Sequence, residues 1–433
     1  MGSSALAAAL AAAAVGILLV LLVPARLARA TALSLALVVA VVGATLTAGS
    51  NVSMASMAFG SVLLGISIVR VRSSSSGERL LQGVLCAWWV LAMLSTLIMH
   101  GRSVAGMLVF GTFALLVSHV ALHLDRASVR FFVRVALAVM VVEVALAALE
   151  FGVGMQPLWG YLGDARANPL IEGFDRAQGT FGHPIVFGWF LAVCATLVWV
   201  DAGRLSRRLC LTFLVVVAAG LVLSGTRSAM VSFAVGVILH LVMRPGLATW
   251  MRNLLIAGGA VFVVLAIGVG SRISELTADL LDSGSWTQRI GNMARVPDLL
   301  ARPPMESLFG VGWGRDDQLF VEGDLVSPFN FRVVDNMLVE ALGTVGILGL
   351  LVLIVMVVIA FVRGDRASRA VTATIAAMMF SFDTMVWPFT AIALMLFFSL
   401  PRLNRNAPPE RPEAVSGTEQ PVTRRALNGR RTR

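Results

Sequence analysis

Apolar runs of roughly 17 to 22 residues alternate along this chain with short polar links. Each run is long enough for an α-helix to cross a hydrocarbon layer of ~30 Å. The pattern predicts spanning segments at 5–24, 31–49, 54–70, 80–99, 103–123, 131–150, 184–200, 209–224, 228–243, 251–270 and 337–362, and a final apolar stretch at 370–400. The first run has no basic residues before it and lacks the short cleavable format, so it reads as a spanning helix rather than a secretory signal. The last stretch exceeds one straight crossing, and "SFDTMVWPF" interrupts it, with Asp383 and Pro388 bracketing a natural break. Two short crossings, about 370–382 and 386–400, are the preferred reading; one kinked helix is the alternative. The expected fold is an all-α polytopic membrane protein of about 12–13 transmembrane helices with one large extracytoplasmic loop.

Charge orients this arrangement. The links "ARLARA", "RVRSSSSGER", "HLDRASVRFFVR", "DAGRLSRR" and "RPGLATWMR" follow alternate segments and are arginine-rich, which assigns them to the cytoplasm. The amino terminus, 151–183, the tight 224–227 turn and 271–335 then fall on the outer side. The hairpin at 370–400 returns the basic tail to the cytoplasm, as the same rule asks.

Composition closes off other classes. The 433 residues are 58% hydrophobic and 13% charged, against about 25% charged for a soluble domain; a soluble enzyme with one core is excluded. The net charge of +10 is spread over short links and the tail, which argues for an anionic inner leaflet rather than nucleic acid. All 34 basic residues are arginine, a mark of GC-rich coding. Cys86, Cys194 and Cys210 lie in or beside apolar runs without paired spacing, so they read as small hydrophobes, with no disulfide or metal site implied. The organisation is N-terminal transmembrane helices over 1–150, helices with arginine-bearing outer loops over 151–270, the large loop over 271–335, C-terminal helices over 336–400, and a disordered basic tail over 401–433.

Polar residues converge on the outer side. "EGFDRAQGTFGHP" carries Arg176 and His183, and "SGTRS" places Arg227 in a turn with no nearby acid. An arginine at a membrane boundary ordinarily snorkels. Arg227 fits that description less well: a cation without a local partner, in a turn this short, is placed to receive an anion, and a guanidinium fork matches phosphate oxygens. In the large loop, "SWTQRIGNMARVPDLL" reads as a helix capped by Ser285, with Arg289 and Asp298 on its polar part and Ile290, Met293, Val296 and Leu300 as an apolar stripe. Glycines 310, 312 and 314 permit sharp turns near a ligand but make no nucleotide loop. Asp335 and Asn336 open the next segment; Asp335 reads as its cap, or as a border of an outward cavity together with Asn336. Glu340, one turn inside, is an ionisable group that needs a cavity or a partner.

"RAQGTFGHPIVFG", "SGTRSAMVS" and "LFGVGWG…VVDNMLVEALGTVGILG" together resemble the O-antigen ligase / O-antigen polymerase superfamily of bacterial membrane glycosyltransferases, over roughly 170–350. The resemblance implies a multi-pass protein of the plasma membrane with an outward-facing site. Its donor is a glycan on undecaprenyl diphosphate, and its acceptor is another glycan or a lipid. Polysaccharide assembly partners are implied too, with no nucleotide sugar, cofactor or metal. It assigns essential roles to two outer arginines, matched here by Arg176 and Arg227. Ligases of the family also carry a histidine after the large loop, where this chain has Asp335. That difference argues against a lipid A core ligase and leaves repeat-unit polymerisation, or ligation to another acceptor.

The expected chemistry is inverting transfer: Arg176 and Arg227 offset charge on the departing diphosphate, and Asp335, or second to it Glu340, assists the acceptor hydroxyl. Arg289, Asn336 and His183 are candidate substrate contacts, although a polar residue opening a helix before Pro184 is the plainer reading of His183. A transporter, whose best feature is the Asp383/Pro388 break, and a noncatalytic assembly partner are the rival classes.

Overall fold

The computed structural model describes residues 3–71, 79–99, 104–162, 166–244, 246, 248–255, 258, 291–325, 334–400 and 403. Most of the predicted segment at 251–270, the cap at Ser285, Arg289 and the tail lie outside them.

Nine helices come first: α1 (Ser3–Leu22), α2 (Ala25–Gly43), α3 (Ser50–Arg70), α4 (Arg79–Ile98), α5 (Val104–Leu122), α6 (Arg126–Val153), α7 (Pro184–Trp199), α8 (Arg207–Ser224) and α9 (Arg227–Val242). Three short helices sit in the large loop: α10 (Val296–Leu300), α11 (Pro304–Phe309) and α12 (Asp316–Val321). The chain continues with α13 (Met337–Thr344), α14 (Gly346–Arg363), α15 (Arg366–Met379) and α16 (Pro388–Phe398). Seven of these are long and apolar enough to cross a membrane, and no strand occurs among the described residues. The molecule is an all-α polytopic membrane protein. Large apolar side chains such as Val142, Val215 and Val358 stay exposed on the outer helix faces, the surface a lipid solvent would cover.

At the centre stands α7. Every residue from Pro184 to Val198 is buried, as expected of a helix that is apolar all round. It packs against α6, α8, α9, α15 and α16.

The links segregate to two ends. At one, Arg29 donates to the carbonyls of Val71 and His123, Ser128 Oγ to the carbonyl of Arg26 (3.2 Å), and Arg134 Nε to that of Gly203 (3.1 Å). These bonds gather the arginine-rich links. At the other end, the backbone N–H of Phe389 donates to Ala44, and that of Ala177 to Leu223.

The final apolar stretch is a hairpin. Ser368 Oγ, in the first turn of α15, donates to the carbonyl of Leu400 (2.8 Å) and accepts from the backbone N–H of Leu403 (3.2 Å). The start of α15 therefore meets the end of α16, and residues 380–387 turn at the loop-bearing end.

Other expectations need correction. The segment predicted as continuous over 337–362 breaks at Val345, because Gly346 takes φ +76°. The carbonyls a break would orphan are satisfied from neighbours: Gly343 accepts from the N–H of Val311, and Thr344 from the N–H of Gly312 and from Ser95 Oγ (2.9 Å). Gly310 and Gly312 thus serve backbone packing against the break. A Cβ on Gly310 would lie 2.2 Å from the carbonyl carbon of Thr344, and one on Gly346 2.2 Å from the carbonyl oxygen of Leu308. The proposed stripe in the large loop also differs. Met293 and Leu300 are exposed, whereas Asn292 and Leu299 are fully buried. Arg295 precedes α10, and it pairs with Asp298 at 2.8 Å.

The hairpin predicts a labelling pattern. In a cysteine-free background, single cysteines at Gly364 and in the tail should react with an impermeant maleimide from the same face of sealed vesicles, and one at Ser381 from the opposite face. A tail that labels with residue 381 would mean a single crossing.

Candidate functional site

The polar stretch before α7 is a strap held from below by two glutamates of α6. Glu143 and Glu150 are seven residues apart, two turns, so they share a helix face. Glu143 accepts from the backbone N–H of Thr180 (2.8 Å) through Oε2 and from its hydroxyl (2.9 Å) through Oε1; Glu150 accepts from the N–H of Gln178 (2.8 Å). The strap can approach this closely because Gly179 adopts φ +57°, where an added Cβ would stand 2.5 Å from Glu143 Oε2. Upstream, a single antiparallel bridge joins Ala167 to Asp175, and the N–H of Arg176 donates to the carbonyl of Arg166.

Arg176 leaves this bridge toward the turn between α8 and α9. Its Nε donates to the Ser224 carbonyl (2.8 Å) and its Nη2 to Thr226 Oγ1 (2.9 Å). The Thr226 hydroxyl in turn donates to the carbonyl of Pro184 (3.1 Å) and provides no side-chain cap for α9. Asn168 Nδ2 reaches the carbonyls of Val222 and Leu223, fixing the end of α8 from the same strap. Arg227 is the first residue of α9 and is half-buried. Among the described residues its guanidinium has no hydrogen-bond or ion-pair partner. A partly buried cation at a helix N-terminus, where the dipole is positive, is a strong attractor for an anion. The two arginines expected from the sequence are thus brought to adjacent positions around Thr226.

His183 caps α7: its Nδ1 accepts from the N–H of Ile185 (3.2 Å), and its ring lies 4.8 Å from that of Trp387. Burial, then the charges of Arg166 and Arg176, hold its pKa well below the ordinary histidine value. With Nδ1 accepting, the neutral ring carries its proton on Nε2. The plainer reading of this residue, a polar start to a helix, describes its backbone role.

The carboxylate side differs from expectation at the cap. Asn336 caps α13, its Oδ1 accepting from the N–H groups of Leu338 (2.9 Å) and Val339 (3.3 Å). Asp335 stands one residue before the cap, 9% exposed, and is not the capping group. Both residue types cap well, so the pair "DN" did not discriminate. Asn336 Nδ2 points at the Phe380 carbonyl (3.5 Å), which ties α13 to the 380–387 turn. Asp383 in that turn is buried and accepts from the N–H groups of Met385 (2.9 Å) and Val386 (3.3 Å). Burial raises its pKa, and Asp316 and Asp335 add to the rise. Glu340, 2% exposed, has no hydrogen-bond partner for either carboxyl oxygen among the described residues.

Two groups therefore form at the loop-bearing end, Arg176 with Arg227, and Asp335 with Asn336, Glu340 and Asp383. His183 lies between, touching Trp387 of the turn and adjoining Pro184, whose carbonyl takes the Thr226 hydroxyl. Arg289 lies outside the described residues. Glu143 and Glu150 were missed, although two acids in one apolar run signal a buried partner. Asp383 was read only as a helix break. No group of three or more His, Cys, Asp or Glu residues arranged to hold a metal occurs among the described residues.

No curated protein matches the chain. Residues 211–354, a span that holds Arg227, Asp335, Asn336 and Glu340, match the family model for O-antigen ligase, in line with the resemblance to the O-antigen ligase/polymerase superfamily.

Proposed function

We propose that this protein transfers a glycan from undecaprenyl diphosphate to an acceptor hydroxyl at the outer face of the plasma membrane, with inversion, and that it polymerises polysaccharide repeat units. The observation that carries this reading is the arginine pair about Thr226: Arg176 is anchored there, and Arg227, next in the chain, has no side-chain partner among the described residues. A diphosphate presents several oxygens, and two forks borne on one turn suit it better than a single cation.

The step runs as a displacement. The acceptor hydroxyl loses its proton to Asp335 while its oxygen bonds to the anomeric carbon. The bond from that carbon to the diphosphate oxygen breaks, and its electron pair leaves with the lipid diphosphate. Arg176 and Arg227 offset the charge that builds there. Because Asn336 performs the capping, the Asp335 carboxylate is not required by the helix end. Its position before α13 matches that of the histidine in the family's ligases, and either group can act as a base. His183, neutral and with its proton on Nε2, offers a donor to sugar or phosphate oxygen rather than a base. Ligation of a glycan to a distinct acceptor is the second reading, favoured by the description of the matched family.

Reconstituted protein supplied with lipid-linked repeat units, without nucleotide sugar or ATP, should give a ladder of products and free lipid diphosphate. One addition to a defined acceptor would assign ligation, and no covalent product with matched donor and acceptor would defeat both. Arg176→Lys and Arg227→Lys keep charge but lose the fork; each should lower kcat/KM at least ~10-fold, and full activity in both would remove the diphosphate assignment. Asp335→Asn should lower kcat by ~10²–10⁴-fold, the usual contribution of a general base. An unchanged kcat would transfer that role elsewhere.

A further inference from the structure

Beyond the arginine pair, the strap and the end of α6 enclose a cleft of about 370 Å³ that includes Arg176 in its lining. That size lies within the ~300–1,000 Å³ of small-molecule sites. One wall is aromatic: the rings of Phe151 and Phe174 stack with centroids 4.2 Å apart, and Phe174 is 44% exposed. Beside Met155 and Ala177, the lining carries polar groups of mixed type. Gln156 offers an amide, Asp175 a carboxylate, and Tyr161, the chain's single tyrosine, a hydroxyl. Partial burial, with Glu150 and Asp175 nearby, raises the Tyr161 pKa and keeps its proton in place as a donor. Asp175 and Gln156 are exposed, so neither is consumed by packing.

A flat apolar face beside donors and acceptors in alternation is what a pyranose ring requires. Its C–H face meets the electron-rich face of an aromatic ring, and its hydroxyls need both kinds of hydrogen-bond partner. A lipid tail would leave Asp175, Gln156 and Tyr161 unsatisfied, and a second phosphate would meet the exposed Asp175 carboxylate as a like charge. Arg176 belongs to both places: its guanidinium reaches Thr226 beside Arg227, and it lines the cleft. A group held by the arginine pair is therefore continuous with whatever fills the cleft.

We infer that this cleft binds the saccharide of the lipid-linked donor, with Phe174 as the stacking platform and Gln156, Tyr161 and Asp175 as hydroxyl partners. The inference rests on the transfer reading for its choice of donor over acceptor. It adds a determinant of which repeat unit the protein accepts, on residues upstream of the span matched to the family.

The probe is the free oligosaccharide released by mild acid from the source cell's own lipid-linked repeat unit, its binding to the purified full-length protein followed by saturation-transfer NMR. The double variant Gln156→Ala, Phe174→Ala alters two side chains at the cleft, one of them exposed and the other 44% exposed. It should weaken oligosaccharide binding and raise the donor KM, each by ~10-fold or more, with most of the loss in KM rather than kcat and with acceptor KM unmoved. Tyr161→Phe, which keeps the ring, should give a smaller change in the same direction. If the wild type transfers glycan while the variants bind oligosaccharide and use donor as it does, the cleft assignment falls and the transfer reading stands. A rise in acceptor KM instead of donor KM would overturn the choice of substrate. A wild type that transfers nothing would defeat the transfer reading, and oligosaccharide binding that the variants lose would then sustain a saccharide cleft alone. Failure of the wild type to bind the oligosaccharide overturns the inference outright.

Discussion

Two carboxylates inside an apolar helix determine the shape of the loop-bearing end. Glu143 and Glu150 would be costly in α6 if left alone. Each instead accepts a backbone N–H of the strap, and Glu143 also takes the Thr180 hydroxyl. The exchange works in both directions: the strap's amides, drawn below the surface, need acceptors, and the carboxylates need donors. Gly179 allows the contact at positive φ, and Gly182, at φ +71°, lets the following turn pass Thr45 and Thr47, where a Cβ would be 2.0 Å from Thr47 Oγ1. From this clamp the chain runs straight into α7, the buried post against which α6, α8, α9, α15 and α16 pack. Arg176 owes its direction to the same clamp, being two residues before Gln178.

The two arginines are consequently unlike. Arg176 is committed by its bonds to Ser224 and Thr226, whereas Arg227, at the start of α9, has no side-chain partner among the described residues. A fixed donor array facing charge that develops during reaction stabilises it without reorganising at that moment. The carboxylates gather on the other side, where the 380–387 turn closes against α13 through Asn336 and Phe380. The hairpin that ends the helical bundle thereby contributes Asp383 and Trp387 to the site, which a single kinked helix would have carried elsewhere. This also removes the best argument for a transporter, since the break around Asp383 is a turn at the loop-bearing end rather than an interrupted helix at mid-depth.

Most of the helical layout was legible in the sequence because length, apolarity and arginine placement are properties of each segment by itself. Arg227 stood out as a cation without a local acid, whereas Arg176, which follows Asp175 directly, stood out only through the family resemblance. The break at Val345 was not, since Gly346 looks like any other helix glycine until Leu308 packs onto it. The choice between Asp335 as cap and Asp335 as cavity border stays open in the sequence because two good capping residues stand together, and only tertiary ties such as that of Asn336 to Phe380 separate them. The apolar stripe in the large loop followed helical spacing, yet Asn292 and Leu299 face inward. That helix packs on the loop's own small core, which local periodicity does not report.

The central claim is that one diphosphate lies between Arg176 and Arg227, and its most direct test is a structure of the protein with a lipid-linked donor made inert at the anomeric bond. Diphosphate oxygens should lie within about 3 Å of guanidinium nitrogens from both residues, with the first sugar within reach of Asp335. A diphosphate bound away from the Thr226 turn, or touching neither arginine, would contradict it.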